Sequence, residues 1–104
     1  LAIVTKEWSD LTQEIAKSAH SNPEEVGAAA VDYLFYSGYV SLAYCWARSI
    51  AALEGSAQSD EFKEAKTHTA RFYFSRILPR IHTHGAAIRA GAATLMAMPA
   101  EQFG

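Results

Sequence analysis

Charge is what this sequence has least of: 19% of residues are Asp, Glu, Lys or Arg, against roughly 25% in ordinary soluble domains. With a formal net charge of −2, nothing argues for general binding to a polyanion. A single cysteine, Cys45, cannot close an intrachain disulfide, which fits a reducing compartment. Proline occurs three times and strand-like alternation of apolar and polar residues not at all, so long helices are the expected elements. No basic stretch followed by an apolar core opens the chain, and no Lys/Arg cluster flanks the apolar stretch Val26–Leu53 to set a membrane topology. Internal repeats and low-complexity tracts are absent as well.

What is present is apolar: half of the 104 residues. That is more than three or four helices of one small domain need for their own core, so some of it is expected to face a partner. The excess concentrates between Val26 and Leu53, which carries two formal charges, Asp32 and Arg48. Its apolar side chains surround the helix instead of forming one stripe, the mark of a buried or membrane-spanning helix. Asp32, Gly27, Ser37, Gly38 and Ser41, with few Leu or Ile, argue against a membrane span. A central helix in a soluble bundle is the expectation. Tyr33, Phe35, Tyr36, Tyr39, Tyr44 and Trp46 spread around it, serving either as core or as a docking surface, since aromatic residues are favoured at interfaces.

The flanking stretches supply partial cover. Val4, Trp8, Leu11, Ile15 and Ala19 recur at helical spacing and predict a first helix over Ile3–Ala19 with one apolar seam. Asn22-Pro23-Glu24-Glu25 predicts the next helix start, with Asn22 as cap, Pro23 in the first turn and Glu25 completing a capping box. The second helix is expected to run to about Glu54 and to stop at a left-handed Gly55. Ser59 can cap a third helix, with Asp60 and Glu61 in its first turn. From Ala70 through Tyr73, Phe74, Ile77, Ile81, His84, Ile88, Ala92 and Leu95 one stripe keeps its phase across Pro79. That predicts one long helix to about Ala97, kinked near Pro79, with a break between Pro79 and Gly85 into a fourth helix as the alternative. The fold expected is therefore all-α: a single domain over 1–104, an antiparallel up-down bundle of three long helices.

Candidate chemistry is thin. His82 and His84 project about 200° apart on a helix and cannot share one ion. His68 follows Glu64 by one turn, but the further ligands a metal site needs are missing, so no metal ligand is assigned. Cys45, mid-helix among apolar neighbours, reads as packing. Asp32 is expected to pair with Arg48 or with an arginine of the third helix, because a charge taken out of water requires a partner. Arg71, Arg76, Arg80 and Arg89 do not share one face, which argues for salt bridges and against a nucleic-acid surface. There is no nucleophile elbow, no glycine-rich phosphate loop and no evident carboxylate pair, so no catalytic or cofactor-binding residue is assigned.

Ala70-Arg71-Phe72-Tyr73-Phe74-Ser75-Arg76-Ile77-Leu78-Pro79-Arg80, then Ile88-Arg89-Ala90-Gly91-Ala92 and Leu95-Met96, resembles the C-terminal helical extension of acyl-CoA dehydrogenases. The subgroup it resembles includes the 3-methylmercaptopropionyl-CoA dehydrogenase-like enzymes. The spacing from Tyr39 and Ala43-Tyr44 to Phe72-Tyr73 is similar too. This resemblance implies a cytoplasmic parent flavoprotein of fatty acid metabolism that oxidises an acyl-CoA to the 2-enoyl-CoA. There a glutamate removes the α-proton and FAD accepts the hydride, both belonging to upstream domains. Glu54, Glu61 and Glu64 match no such glutamate. The chain is then expected to be a non-catalytic C-terminal fragment, as a start at Leu1 also suggests, that packs on the parent dehydrogenase and assists homo-oligomerisation. FAD would be bound by the parent and not by these residues. A stand-alone helical protein–protein interaction module is the alternative.

Overall fold

The computed structural model describes residues 1–91, in which every regular element is helical: α1 (Ala2–Ser21), α2 (Glu24–Leu53), α3 (Asp60–Phe72) and α4 (Ile81–Ala90). The seam of α1 forms as its spacing dictates. Leu11 is fully buried, and Val4, Trp8 and Ile15 pack against the same core. The α1–α2 turn is tight: the Asn22 N–H closes α1 on the Ser18 carbonyl, and the Asn22 side chain accepts from the Glu24 N–H at 3.1 Å. Asn22 thus caps α2. Its own N–H, which a capping box would hand to Glu25, is engaged by α1.

Ser59 caps α3 as expected, accepting from the Phe62 N–H at 3.2 Å, with Asp60 and Glu61 in the positive first turn. Gly55 departs from expectation. Among the described residues the positive-φ position is Gly91 (φ 73°), not Gly55. α2 ends instead in a right-handed turn, with the Ser56 N–H on the Leu53 carbonyl. Gly91 closes α4 at Ala90, earlier than the expected Ala97, and Ala92, Leu95 and Ala97 lie outside the described residues.

The third expected helix continues as one helical run through Pro79, with its hydrogen-bond pattern changed there. Between α3 and α4 the backbone widens to a π turn over Tyr73–Ile77 and tightens to a 3₁₀ turn over Leu78–Arg80. The Leu78 N–H reaches five residues back to the Tyr73 carbonyl. Pro79, which has no N–H to give Ser75, sits at the start of the tight turn. A wide turn followed by a narrow one nearly restores the phase. Tyr73, Ile81 and Ile88 therefore reach the core as the stripe predicts, Phe74 and Ile77 pack against it partly buried, and Leu78, which the stripe leaves out, is buried with them.

The core runs along α2 through Ala29, Tyr36, Val40 and Ala43, met by Leu11 from α1 and by the α3–α4 stripe. α1 and the α3–α4 rod both pack on α2 and also meet each other, where Gly85 faces Leu11 and where Arg89 reaches Glu14, so the side of α2 turned away from both stays uncovered. This explains how a helix apolar all round keeps a bare face.

Candidate functional site

Two features stand out: a polar clasp between α2 and α4, and the uncovered side of α2. In the clasp, His84 Nδ1 lies 2.8 Å from Asp32 Oδ1, and both side chains are half-buried. An ionised carboxylate only accepts, so Nδ1 carries the proton. The imidazole is held between two rings of α2. Phe35 stacks at 5.2 Å and 9°, and Tyr39 at 5.8 Å and 29°. Tyr73 donates from the π turn to the Tyr39 carbonyl, extending the chain of contacts. His84 thus sits on the core stripe as a hydrogen-bonded histidine, as the sequence implies. Its partner corrects the expectation for Asp32, which meets neither Arg48 nor another arginine.

A second polar seam joins α1 to α2. Trp8 Nε1 donates to Ser37 Oγ at 2.9 Å. Thr12 pairs with the Tyr33 hydroxyl at 2.6 Å, and Thr5 with that of Tyr44 at 2.6 Å. Tyr36, 1% exposed, donates to Glu7 Oε2 at 3.4 Å. Burial foremost, and then the negative Glu7, push the Tyr36 phenol up from 10.0 to about 12, with Arg89 opposing weakly. Burial also raises Tyr73. Because the unfolded chain loses the Tyr36 proton near pH 10 while the folded chain holds it to about 12, stability from this group is whole below pH 10 and drains away across that interval. Replacing Tyr36→Phe should flatten the fall of urea stability between pH 10 and 12, and the same slope in both proteins would refute the assignment.

The other candidate residues scatter. Arg89 bridges to Glu14 of α1 at 3.3 Å, a salt bridge of the kind the arginines suggested. Lys6 and Asp10 pair along α1 at 3.1 Å. Cys45 is exposed, contrary to its reading as inert packing, and borders an open hollow with Phe62 and Lys66 of α3. Among the described residues no group of three His, Cys, Asp or Glu could hold a metal, and no helix is long and apolar enough to cross a membrane.

The bare side of α2 holds Val31 (64% exposed), Leu34 (71%), Phe35 (50%) and Leu42 (51%). Between them lie Gly27, Gly38, Ser41 and Cys45, and at Gly27 and Gly38 an added methyl would meet nothing within 4 Å. No charged residue interrupts this face from Gly27 to Cys45. Toward α1 it merges with an open groove of about 660 Å³ lined by Ile15, Ala16, Ala19, Val26, Ala30 and Leu34. Sequence spacing foresaw an uncovered remainder of α2. The clasp it could not show, because Asp32 and His84 lie 52 positions apart.

Among the described residues the structure is a bundle of helices in which α2 keeps one exposed apolar face. The chain belongs to the acetyl-CoA dehydrogenase C-terminal-like family, whose model matches residues 1–99. It is therefore an accessory C-terminal domain of acyl-CoA dehydrogenases, with the helical architecture expected of one. No curated protein and no solved structure matches the chain. Enzymes of this kind are generally FAD enzymes. The apolar groove between α1 and α2 offers no cation for a pyrophosphate, and its Thr12, Tyr33 and Ser37 hydroxyls are already bonded.

Proposed function

We propose that this domain packs, through the bare face of α2, on the body of an FAD-dependent acyl-CoA dehydrogenase and helps hold the oligomer together. The parent is a cytoplasmic enzyme of the 3-methylmercaptopropionyl-CoA dehydrogenase-like subgroup. Its flavin, its catalytic base and the oxidation of acyl-CoA to 2-enoyl-CoA belong to domains outside residues 1–104.

The observation that carries this reading is the charge-free exposed strip with Val31, Leu34, Phe35 and Leu42. Contiguous apolar surface of this kind marks a contact site. Gly27 and Gly38 leave room there for a close-packed neighbour.

The test is Val31→Glu with Leu42→Glu in the parent enzyme. Sedimentation velocity should show smaller assemblies, and limited proteolysis should release the bundle at least tenfold faster. An unchanged assembly with unchanged proteolysis would place the contact elsewhere. In the isolated chain the wild type should bind the apolar dye ANS and the double variant should bind much less.

A further inference from the structure

The bare side of α2 begins and ends in opposite charges. From Glu24 to Arg48, steps of three and four alternate without a fault through Gly27, Val31, Leu34, Gly38, Ser41 and Cys45, and every one of these residues is exposed. Such spacing is the contact seam of two helices wound along each other. We infer that this seam pairs antiparallel with the same seam of a second copy of the chain, about a two-fold axis midway between Leu34 and Gly38. This pairing rests on the reading that the bare face of α2 holds the oligomer together. It narrows what that face meets from the enzyme body to α2 of a neighbouring copy.

Three observations carry the inference. The first is charge complementarity. Antiparallel pairing sets Glu24 opposite the partner's Arg48, and the two-fold repeats that pair at the other end. Neither Glu24 nor Arg48 belongs to an ion pair among the described residues. They cannot meet within one molecule, because the helical rise puts them roughly 36 Å apart along α2. Parallel pairing would set like charges against each other at both ends. Between those ends the seam carries no charge, so covering it with an identical surface strands no ion.

The second is bulk. The register that joins the charges also sets Leu34 against the partner's Gly38, Val31 against the partner's Ser41 and Gly27 against the partner's Cys45. Each larger side chain meets a smaller one, and Val31 and Leu34 are the ones standing most fully in solvent. The third is the pair of glycines. Glycine inside a helix destabilises it relative to alanine. A methyl added at Gly27 or Gly38 would meet nothing within 4 Å, so no packing within the described chain requires either glycine. A helix lying close against this face does.

Charge reversal tests the register. Sedimentation equilibrium of the 104-residue chain should show a reversible dimer. Glu24→Arg or Arg48→Glu alone should weaken it at least threefold, and the two together should restore the wild-type constant. Since the two positions cannot meet within one chain, only a pair between molecules gives that recovery. As a second arm, Gly27→Cys under mild oxidation should yield a covalent dimer through the partner's Cys45. The wild type, with Cys45 alone, should yield none. A wild type monomeric at millimolar concentration, a double reversal no better than the single ones, or a Cys45–Cys45 disulfide in the wild type would each overturn the inference. Should Val31→Glu with Leu42→Glu still break up the parent enzyme in any of those cases, the docking reading stands, and the strip meets the enzyme body instead of a second α2.

Discussion

Leu11→Ala should lower the unfolding free energy by about 4 kcal/mol, near the top of the usual range for a buried leucine. Leu11 is fully buried where α1, α2 and α4 meet. Its cost depends on whether the surroundings can collapse into the space it leaves. On the α4 side they have little to move. Gly85 stands opposite, with its Cβ position 3.9 Å from Leu11 Cδ1 and 3.5 Å from Tyr36 Cε2, so no side chain of α4 can swing inward there. Tyr36 itself is tethered to Glu7 by its hydroxyl. The cavity should therefore stay open. Since small domains have only about 5–15 kcal/mol in total, the variant should unfold at much lower urea with an unchanged slope. A loss below about 1 kcal/mol would mean that the three-helix junction is not the centre of the core.

The second large effect is expected at the clasp. Asp32→Ala leaves the His84 imidazole between Phe35 and Tyr39 with no partner for Nδ1. The loss should be about 2 kcal/mol at pH 7, in the range for a hydrogen bond to a charged group. Asp32→Asn retains an acceptor oxygen at nearly the same place and should recover at least half of that loss. His84→Ala should be damaging alone, and adding Asp32→Ala to it should cost little more. A coupling energy of about 1 kcal/mol or above in this cycle would confirm a direct interaction. Strict additivity of the two substitutions would show that the pair contributes nothing beyond its separate contacts.

Both sites show where sequence reading succeeds and where it stops. Leu11 was legible because a helix repeats its environment every three to four residues, and the seam Val4-Trp8-Leu11-Ile15 announces its own inward face. Tyr73, Ile81 and Ile88 announced theirs in the same way, even across Pro79. Ser59 was legible as a cap because its acceptor serves an N–H three residues ahead. Asp32 was visible only as an anomaly. An acid in an apolar helix demands a partner, but local spacing is silent on which distant residue arrives beside it, and arginine was the wrong choice. Cys45 was misjudged for a related reason. In a helix apolar on every side, composition does not tell a covered face from an open one, and only the tertiary packing decides that this thiol is exposed.

Glycine divides the same way. Gly55 and Gly91 look alike as helix stops. The left-handed one is Gly91, at the end of α4, whereas α2 closes on an ordinary turn through Ser56. The conformation of each depends on what its carbonyls and neighbours find in space, Glu25 beside Gly91 among them.

By itself, then, the sequence determined that this protein is helical, that α2 lies at its centre, which faces of α1 and of the α3–α4 rod turn inward, and that apolar surface would be left over. Those outcomes follow from periodicity and capping, which act within a few residues. Tertiary structure alone decided that His84 is the partner of Asp32, that hydroxyls of α2 pair with α1, and that the leftover surface divides into a groove beside α1 and a strip facing away from the bundle. These depend on how three rods lie against one another, a geometry set by contacts between residues far apart in the chain.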